Sequence, residues 1–194
     1  MGDDSSVLDR MFNHPSGLPG RIGAILMTRM NGSVSVDVVD HFDLEPTDSV
    51  LEIGFGPGLG IERAVEAAPN GYVAGVDVSA MMVERATRRN ERVVDAGRVD
   101  LRRGSVEDLP FPDKTFDAAF SINSLHAWPD QRAGLDEIRR VLRPGGTVAI
   151  VLTKHAGRPD EPLEELLRAA GFERVRSTTN VGGECVHGCK PPSE

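Results

Sequence analysis

The residues that most clearly point to chemistry form a glycine-rich turn, VLEIGFGPGLG, at positions 50–60. Every second residue from Gly54 to Gly58 is a glycine, and Glu52 stands two residues before the first of them. Glycines at such a turn let the backbone approach a ligand closely, and the helix that follows presents unpaired N–H groups. The G-x-G-x-x-G register of dinucleotide binding is not met, because Leu59 occupies its sixth position, and no Lys-Ser/Thr pair follows. The turn therefore predicts a ligand site that is neither an NAD site nor a phosphate loop.

Asp77 is the second candidate ligand residue. It ends the next apolar run, YVAGVD, 77 − 58 = 19 residues after Gly58. An acid at this spacing can accept hydrogen bonds from the hydroxyls of a ribose. Together with the glycine turn, it predicts a site for a ribonucleoside.

A third group lies in the segment SINSLHAWPD, Ser121–Asp130, which follows a predicted strand. Its His126 can take a proton from a hydroxyl or amine near neutral pH, so we predict His126 and Asn123 as catalytic residues. We predict that Trp128 and His155, which lie at the same rim, contact the substrate. The alternative for the histidine and the tryptophan is that they only pack the loop against the next helix.

Cys185, His187 and Cys189 alternate along one predicted strand and therefore lie on one face. Residues two apart in a strand are separated by about 6.6 Å, which is wide for neighbouring ligands of one zinc ion. The two cysteines would be about 13 Å apart, too far for a disulfide. We predict neither a metal site nor a disulfide.

The elements that must position these residues alternate between strands and helices. The predicted strands are 49–53, 72–77, 99–103, 115–121 and 147–152. The predicted helical stripes are Ile61, Ala64, Val65 and Ala68; Leu135, Ile138 and Leu142; and Leu163, Leu166, Leu167 and Ala170. We expect Asp130 to cap the second helix and Gly171 to end the third. Such alternation predicts parallel strands with helical crossovers.

The two ends of the chain depart from this alternation. Residues 172–179 and 184–189 predict a hairpin, and hence an antiparallel edge. Residues 1–47 predict two amphipathic helices, which carry Ile22, Ile25 and Leu26, and Val38, Val39 and Phe42. We therefore predict a single domain over 1–194, with a helical cover at 1–47 and a core at 48–190.

Composition narrows the classes of function. The 22 basic and 30 acidic residues give a formal charge of −8, which disfavours general binding of DNA, RNA or anionic membranes. The basic residues between Arg85 and Arg103 predict a solvated helix face, with an RNA substrate as the minor alternative. Two cysteines and the lack of an export or membrane segment predict a cytoplasmic protein.

Four segments together resemble the class I S-adenosylmethionine (SAM)-dependent methyltransferases, in their small-molecule, Methyltransf_11-like branch. They are LEIGFGPG (51–58), GVDVSAMM (75–82), GSVEDLPFPDKTFDAAFS (104–121) and RVLRPGG (140–146). The resemblance covers about 48–190. It implies a Rossmann-like α/β fold with a seven-stranded sheet, order 3-2-1-4-5-7-6, an antiparallel last strand, and helices on both faces.

The resemblance also implies roles for individual residues in binding SAM and its product, S-adenosylhomocysteine (SAH). Gly54, Phe55 and Gly56 would line the methionyl part, Glu52 would support the turn, and Asp77 would hold the ribose. Val78 and Met82 would pack on the adenine, and the Val106 backbone would meet the purine edge. The full predicted cofactor set is Glu52, Gly54, Phe55, Gly56, Gly58, Asp77, Val78, Met82, Ser105, Val106 and Ser121.

One position departs from the family pattern. Similar proteins usually carry an Asp after the glycine that corresponds to Gly104, and this chain has Ser105. Recognition of the adenine amino group would fall to this hydroxyl or to Glu107. The expected loss is about 1 kcal/mol of hydrogen bonding.

The sequence thus predicts a SAM-dependent enzyme that methylates an O, N or C atom of a small metabolite, and it is compatible with a homodimer. The alternatives are an RNA or protein methyltransferase and a non-catalytic SAM-binding subunit. The acceptor pocket would be roofed by the N-terminal helices, a second subunit or the substrate, since only eight residues separate Leu152 from Glu161.

Overall fold

The computed structural model of the chain describes residue 39 and residues 44–153, 156–180 and 183–192. The strands are β1 (Ser49–Ile53), β2 (Tyr72–Asp77), β3 (Val99–Arg103), β4 (Phe116–Ile122), β5 (Leu142–Thr153), β6 (Glu173–Asn180) and β7 (Gly183–Cys189). The helices are α1 (Leu59–Ala67), α2 (Ala80–Arg89), α3 (Glu91–Asp95), α4 (Gln131–Val141) and α5 (Leu163–Ala169), and a 3₁₀ turn spans Leu125–Ala127.

The strands form one sheet in the order β3-β2-β1-β4-β5-β7-β6. Strands β1 to β5 pair in parallel, whereas β7 runs antiparallel to both β5 and β6. This order and the antiparallel hairpin confirm the predicted fold. The parallel strands all end at one edge of the sheet, where ligands bind in open α/β folds.

Helices cover both faces of the sheet. Helices α1 and α2 contribute Ile61, Ala64, Met82 and Ala86 to one buried cluster, while α4 and α5 contribute to the cluster on the opposite side. The predicted caps are present, since Asp130 Oδ1 accepts the N–H groups of Arg132 and Ala133 at 2.9 and 3.0 Å. Gly171 ends α5 with φ +84°.

The prediction that Leu142 belongs to the α4 stripe is wrong. Helix α4 ends at Val141, and Leu142 has an extended backbone (φ −72°, ψ 142°) that begins β5 beside Phe116. Pro144 follows two residues later, and the chain has already left the helix before it. Strand β5 consequently starts five residues earlier than predicted.

Lys190, the residue after β7, binds the backbone where α4 ends and β5 begins. Its side chain is only 4% exposed, and its ammonium donates to the carbonyl oxygens of Arg139 (2.7 Å) and Leu142 (2.9 Å). Its backbone exchanges hydrogen bonds with Gly145 and Gly146. The segment after β7 is therefore bound to the junction between α4 and β5.

The predicted N-terminal helices lie outside the described residues, apart from Val39, which is helical and buried. His155 also lies outside them. Within the part of the chain that the structure describes, none of the helices combines the length and the apolar character that crossing a membrane requires.

Candidate functional site

The glycine turn lies where β1 ends and α1 begins. Gly54, Gly56 and Gly58 all have left-handed backbones, with φ of +69°, +51° and +84°. A Cβ on Gly54 would also fall 2.7 Å from the Ser124 hydroxyl oxygen. Glycine is therefore required here by both conformation and space.

Asp77 ties the end of β2 to this turn. Its Oδ2 accepts the N–H of Gly56 at 2.9 Å, and its Oδ1 accepts the N–H of Ser79 at 2.8 Å. Burial raises the pKa of this carboxyl, and the two backbone donors oppose that shift. Each oxygen keeps acceptor capacity for a further donor, such as a hydroxyl.

Glu52 is a buried acid directly beneath the turn. Its side chain is 3% exposed, and Oε2 has no hydrogen-bond partner among the described residues. Burial raises its pKa well above the usual range, the charge of Asp77 adds to this, and the N–H of Ile61 opposes it. A Cβ on Gly60 would fall 2.6 Å from Glu52 Cδ, so the glycine makes room for the carboxyl. A buried acid without a full set of partners is suited to a cationic ligand.

An apolar surface adjoins the two acids. Val78 is 62% exposed and is the one large hydrophobic side chain described as exposed in the structure. Met82 is buried in the first turn of α2, shortly after Val78 in the chain. Ser79 caps this helix. An exposed valine next to a buried aspartate is consistent with a surface for a planar base.

The turn after β3 contains Ser105, the residue that departs from the family pattern. Ser105 Oγ lies 3.3 Å from Glu107 Oε2 and also accepts the Glu107 N–H at 3.3 Å. Val106 is buried, and a Cβ on Gly134 would fall 3.0 Å from its Cγ1. The serine hydroxyl and the glutamate therefore act as one polar unit at this edge.

A residue absent from the predicted set, Ser124, joins the turn to the loop after β4. Its hydroxyl donates to the carbonyl of Ile53 (3.1 Å), accepts the indole N–H of Trp128 (3.0 Å), and lies 2.6 Å from Ser121 Oγ. The ring of Trp128 is buried, and its indole N–H is already bonded. Ser124 stands four residues before the only tryptophan, a spacing that could have marked it in the sequence.

Asn123 holds the ends of β4 and β5 together. Its backbone is left-handed (φ +55°), a conformation that asparagine adopts more readily than most residues. Its side-chain oxygen accepts the N–H of Thr153 at 2.8 Å, and its own N–H donates to Val151 at 2.8 Å. These contacts place Asn123 between the two strand ends that border the predicted acceptor crevice.

His126 lies on the exposed side of the 3₁₀ turn that follows Asn123. A Cβ on Gly157 would fall 3.0 Å from His126 Cβ, so the segment after β5 packs against this histidine. The surrounding protein lowers the pKa of the imidazole through partial burial. His126 is therefore mainly neutral at pH 7 and able to accept a proton.

The residues at this edge fit S-adenosylmethionine. Glu52 has an unpartnered buried oxygen, Asp77 has acceptor capacity, and Val78 exposes an apolar surface. A sulfonium or ammonium group would match Glu52, two ribose hydroxyls would match Asp77, and a purine would match Val78. Gly54, Gly56 and Gly58 in the turn carry no side chain that would block the approach of such a ligand to the backbone.

Residues 51–150 match the family described as "Methyltransferase domain". The chain belongs to this family. The methyltransferase is 31% identical over 162 residues to "Uncharacterized methyltransferase YdaC" of Bacillus subtilis (strain 168), which covers 79% of this chain and 87% of the relative. This family membership and the fit of the site identify a SAM-dependent enzyme.

Solved structures share the fold of the methyltransferase. A SAM-dependent methyltransferase from Aquifex aeolicus superposes with a TM-score of 0.69 at 22% identity, over 97% of this chain and 98% of that one. Phosphoethanolamine N-methyltransferase 2 from Haemonchus contortus, in complex with SAM, gives 0.76 at 18% identity over 98% and 60% of the two chains.

The side chains of Cys185 and His187 on β7 are closer than strand spacing alone predicts. Cys185 Sγ lies 3.0 Å from His187 Nε2, because neighbouring side chains on one face lean together. Burial raises the pKa of the Cys185 thiol to about 12. Both cysteines are free thiols, and no cluster of metal-ligating residues occurs in the described ranges.

Proposed function

We propose that this methyltransferase transfers the methyl group of SAM to an oxygen, nitrogen or carbon atom of a small metabolite. The observation that carries this proposal is the position of His126. It lies on the loop that Ser124 joins to the cofactor turn, and it is exposed to an approaching acceptor. The acceptor would thus meet the base at the same edge as the methyl donor.

The proposed cofactor contacts follow from the geometry of the acids and the glycine turn. Bound SAM supplies an activated methyl group on a sulfonium. Asp77 would hold the ribose while Gly56 keeps its carboxylate oriented, and Glu52 would offset positive charge beneath the turn. Val78 and Met82 would contact the adenine, and the unit of Ser105 and Glu107 would accept from its amino group.

The proposed acceptor is small and not a nucleic acid because of the charge at the rim. In the described segments that border the crevice, 123–130 and 156–162, the one arginine is Arg158, and it pairs with Glu184 at 2.8 Å. Acidic residues at 130, 160 and 161 outnumber it. An RNA substrate would require unpaired positive charge here.

Relatives are named for several acceptors, which is why we leave the acceptor atom open. One is an O-methyltransferase of Aspergillus sclerotiorum, one an arsenite methyltransferase of Halobacterium salinarum, and one a demethylmenaquinone methyltransferase of Lactiplantibacillus plantarum. Arsenite and demethylmenaquinone, which two of these names contain, are small molecules, and none of the three names mentions a nucleic acid. This supports a small acceptor for the present chain.

The first experiment measures cofactor binding. We expect SAM and SAH to bind by calorimetry, and Asp77→Ala to weaken SAM binding by about 1.5–3 kcal/mol through the loss of charge-assisted hydrogen bonds. Asp95→Asn, an exposed acid at the end of α3, is the matched control and should leave the dissociation constant unchanged. Equal affinity in Asp77→Ala and the wild type would remove Asp77 from the site.

The second experiment identifies the class of acceptor. Purified enzyme is incubated with SAM labelled on the methyl group and with separate pools of metabolites, bulk RNA and protein. We expect the label in the metabolite pool. Label that enters RNA or protein instead would contradict the proposed acceptor class.

A further inference from the structure

A cleft at the opposite end of the sheet is not explained by methyl transfer. It has a volume of about 370 Å³ and lies beside Asp117 and Ala118 at the start of β4, and Thr147 in β5. The cofactor turn lies at the carboxyl ends of the same parallel strands. The cleft is large enough for a small metabolite and is separate from the methyl-transfer site.

Two arginines of strand β6, Arg174 and Arg176, line this cleft. The pairing with β7 shifts register between Glu173 and Arg176, which marks a β-bulge. Within the bulge Arg174 has a left-handed backbone (φ +51°), which is uncommon for a residue other than glycine or asparagine. Bulges reorient side chains, and here both Arg174 and Arg176 line the cleft.

Neither arginine has a partner in the described structure. Most other described arginines donate to a carboxylate or a carbonyl, as Arg140 and Arg143 do. Arg85 and Arg92 also form no ion pair or hydrogen bond within the described ranges. They lie on the helices α2 and α3 and do not line the cleft. Arg174 and Arg176 are the pair that shares a cavity.

Both acids in the cleft accept a backbone hydrogen bond, and one of them also forms an ion pair with an arginine. Asp117 accepts the N–H of Ser49 at 2.8 Å and forms an ion pair with Arg143. Asp48 accepts the N–H of Glu45 at 2.9 Å. Because Arg143 pairs with Asp117, the two guanidinium groups of Arg174 and Arg176 face one remaining carboxylate in the cleft, Asp48, which leaves an excess of positive charge.

We propose that this cleft binds a phosphate group, either as inorganic phosphate or as the phosphoryl end of a small phosphorylated metabolite, through Arg174 and Arg176. A guanidinium donates two parallel hydrogen bonds to phosphate oxygens, so two neighbouring arginines suit this group. The hydroxyl of Thr147 lines the same cleft and supplies a further polar contact. The volume of the cleft exceeds that of a phosphate ion and leaves room for an organic part.

The test uses calorimetric titration of the full chain with inorganic phosphate and with glycerol 3-phosphate, at fixed ionic strength. We expect saturable binding, weakened about tenfold or more in Arg176→Gln and in Arg174→Asn. Asparagine is chosen at 174 because it tolerates the left-handed backbone while it removes the charge. Arg92→Gln, an exposed arginine without a partner in the described structure, is the control and should bind as the wild type does.

The outcomes separate the two sources of phosphate and keep this site distinct from the cofactor site. Tighter binding of glycerol 3-phosphate would support a phosphorylated metabolite, and equal binding would support free phosphate. Affinity for SAH, measured on the same samples, should not change in either cleft variant. Absence of binding by both probes, or equal weakening in Arg92→Gln, would overturn the proposal.

Discussion

The buried acids beneath the glycine turn oppose stability and favour binding. Glu52 and Asp77 are both buried, and each has a raised pKa, so keeping them charged costs folding free energy. A cationic ligand compensates for that cost only when it is bound. Charged Glu52 and Asp77 therefore lower the stability of the ligand-free protein.

Replacement of Glu52 by glutamine should stabilise the ligand-free protein at high pH. The pKa of Glu52 is raised in the folded state, so the folded protein binds more protons and wild-type stability falls as pH rises above the unfolded value near 4.5. We expect Glu52→Gln to gain about 1–2 kcal/mol at pH 8 in urea unfolding, and less at pH 5. The side-chain amide oxygen of the glutamine can still accept a hydrogen bond from the backbone N–H of Ile61.

The same variant should bind SAM more weakly, since it lacks the negative charge. Asp95→Asn provides the matched control, because it removes one exposed carboxylate from the same protein. A Glu52→Gln protein that is less stable than the wild type at pH 8 would show that the carboxyl stabilises the turn when charged.

His126 determines the expected pH dependence of turnover. Partial burial lowers its pKa, so the activity of the wild type should rise with pH through a value below 6.5 and then level off. In His126→Ala we expect kcat to fall by about 10² and this pH step to disappear. SAM affinity, measured by calorimetry, should stay unchanged. Equal turnover in the variant would leave the histidine as a packing residue.

At the level of elements, the loop after β4 supports the glycine turn through one hydroxyl. Ser124 contacts Ile53, Trp128 and Ser121, and it fills the space that Gly54 leaves open. The loop that carries His126 and the turn that would hold SAM are therefore joined by direct contacts. This explains how the fold could align donor and base.

Replacement of Ser124 by alanine should loosen that unit. The indole N–H and a backbone carbonyl would each lose a partner, so we expect about 1–3 kcal/mol less stability in urea unfolding, and weaker binding of SAM. Ser177→Ala, on the exposed strand β6, is the control. If the two variants lose equal stability and both keep the wild-type affinity for SAM, Ser124 does not couple the loop to the turn.

The accuracy of the sequence predictions differed between elements for physical reasons. Strands β1, β2 and β3 have the predicted bounds because each is a short run that contains β-branched residues and lies between turn residues. Leu142 was assigned to the wrong element because its apolar side chain fits the helical period, while its backbone pairing with Phe116 depends on a distant residue. The bulge at Arg174 arises from the pairing of β6 with β7, a contact across elements that has no local signal, so the bulge was not predicted.

The roles of the predicted site residues were assigned partly from the residues and partly from the family resemblance. Asp77 meets the glycine turn because parallel strands end at one edge, and strand order and chain spacing suffice to predict this. The bonding of Trp128 to Ser124, and the contact between Cys185 and His187, depend on side-chain direction. Periodicity in the sequence does not encode such directions.

At the scale of the whole molecule, Lys190 fastens the last described segment to the sheet. We expect Lys190→Met to cost about 1–3 kcal/mol in urea unfolding, because the Arg139 and Leu142 carbonyls would lose a charged donor. Arg85→Met on α2 is the control for removal of a charge without a described partner. A Lys190→Met protein as stable as its control would show that water replaces the ammonium at no cost.

The strand order has a consequence for the way in which the molecule opens. Among the strands that the structure describes, β6 pairs with β7 alone, and β7 lies between β6 and β5. Whenever β7 separates from β5, β6 must leave the sheet with it, while the five parallel strands can stay paired. Deuterium exchange should therefore give the backbone amides of β6 and β7 one common free energy of opening, lower than that of β1 and β4, as a cooperative unit of partial unfolding.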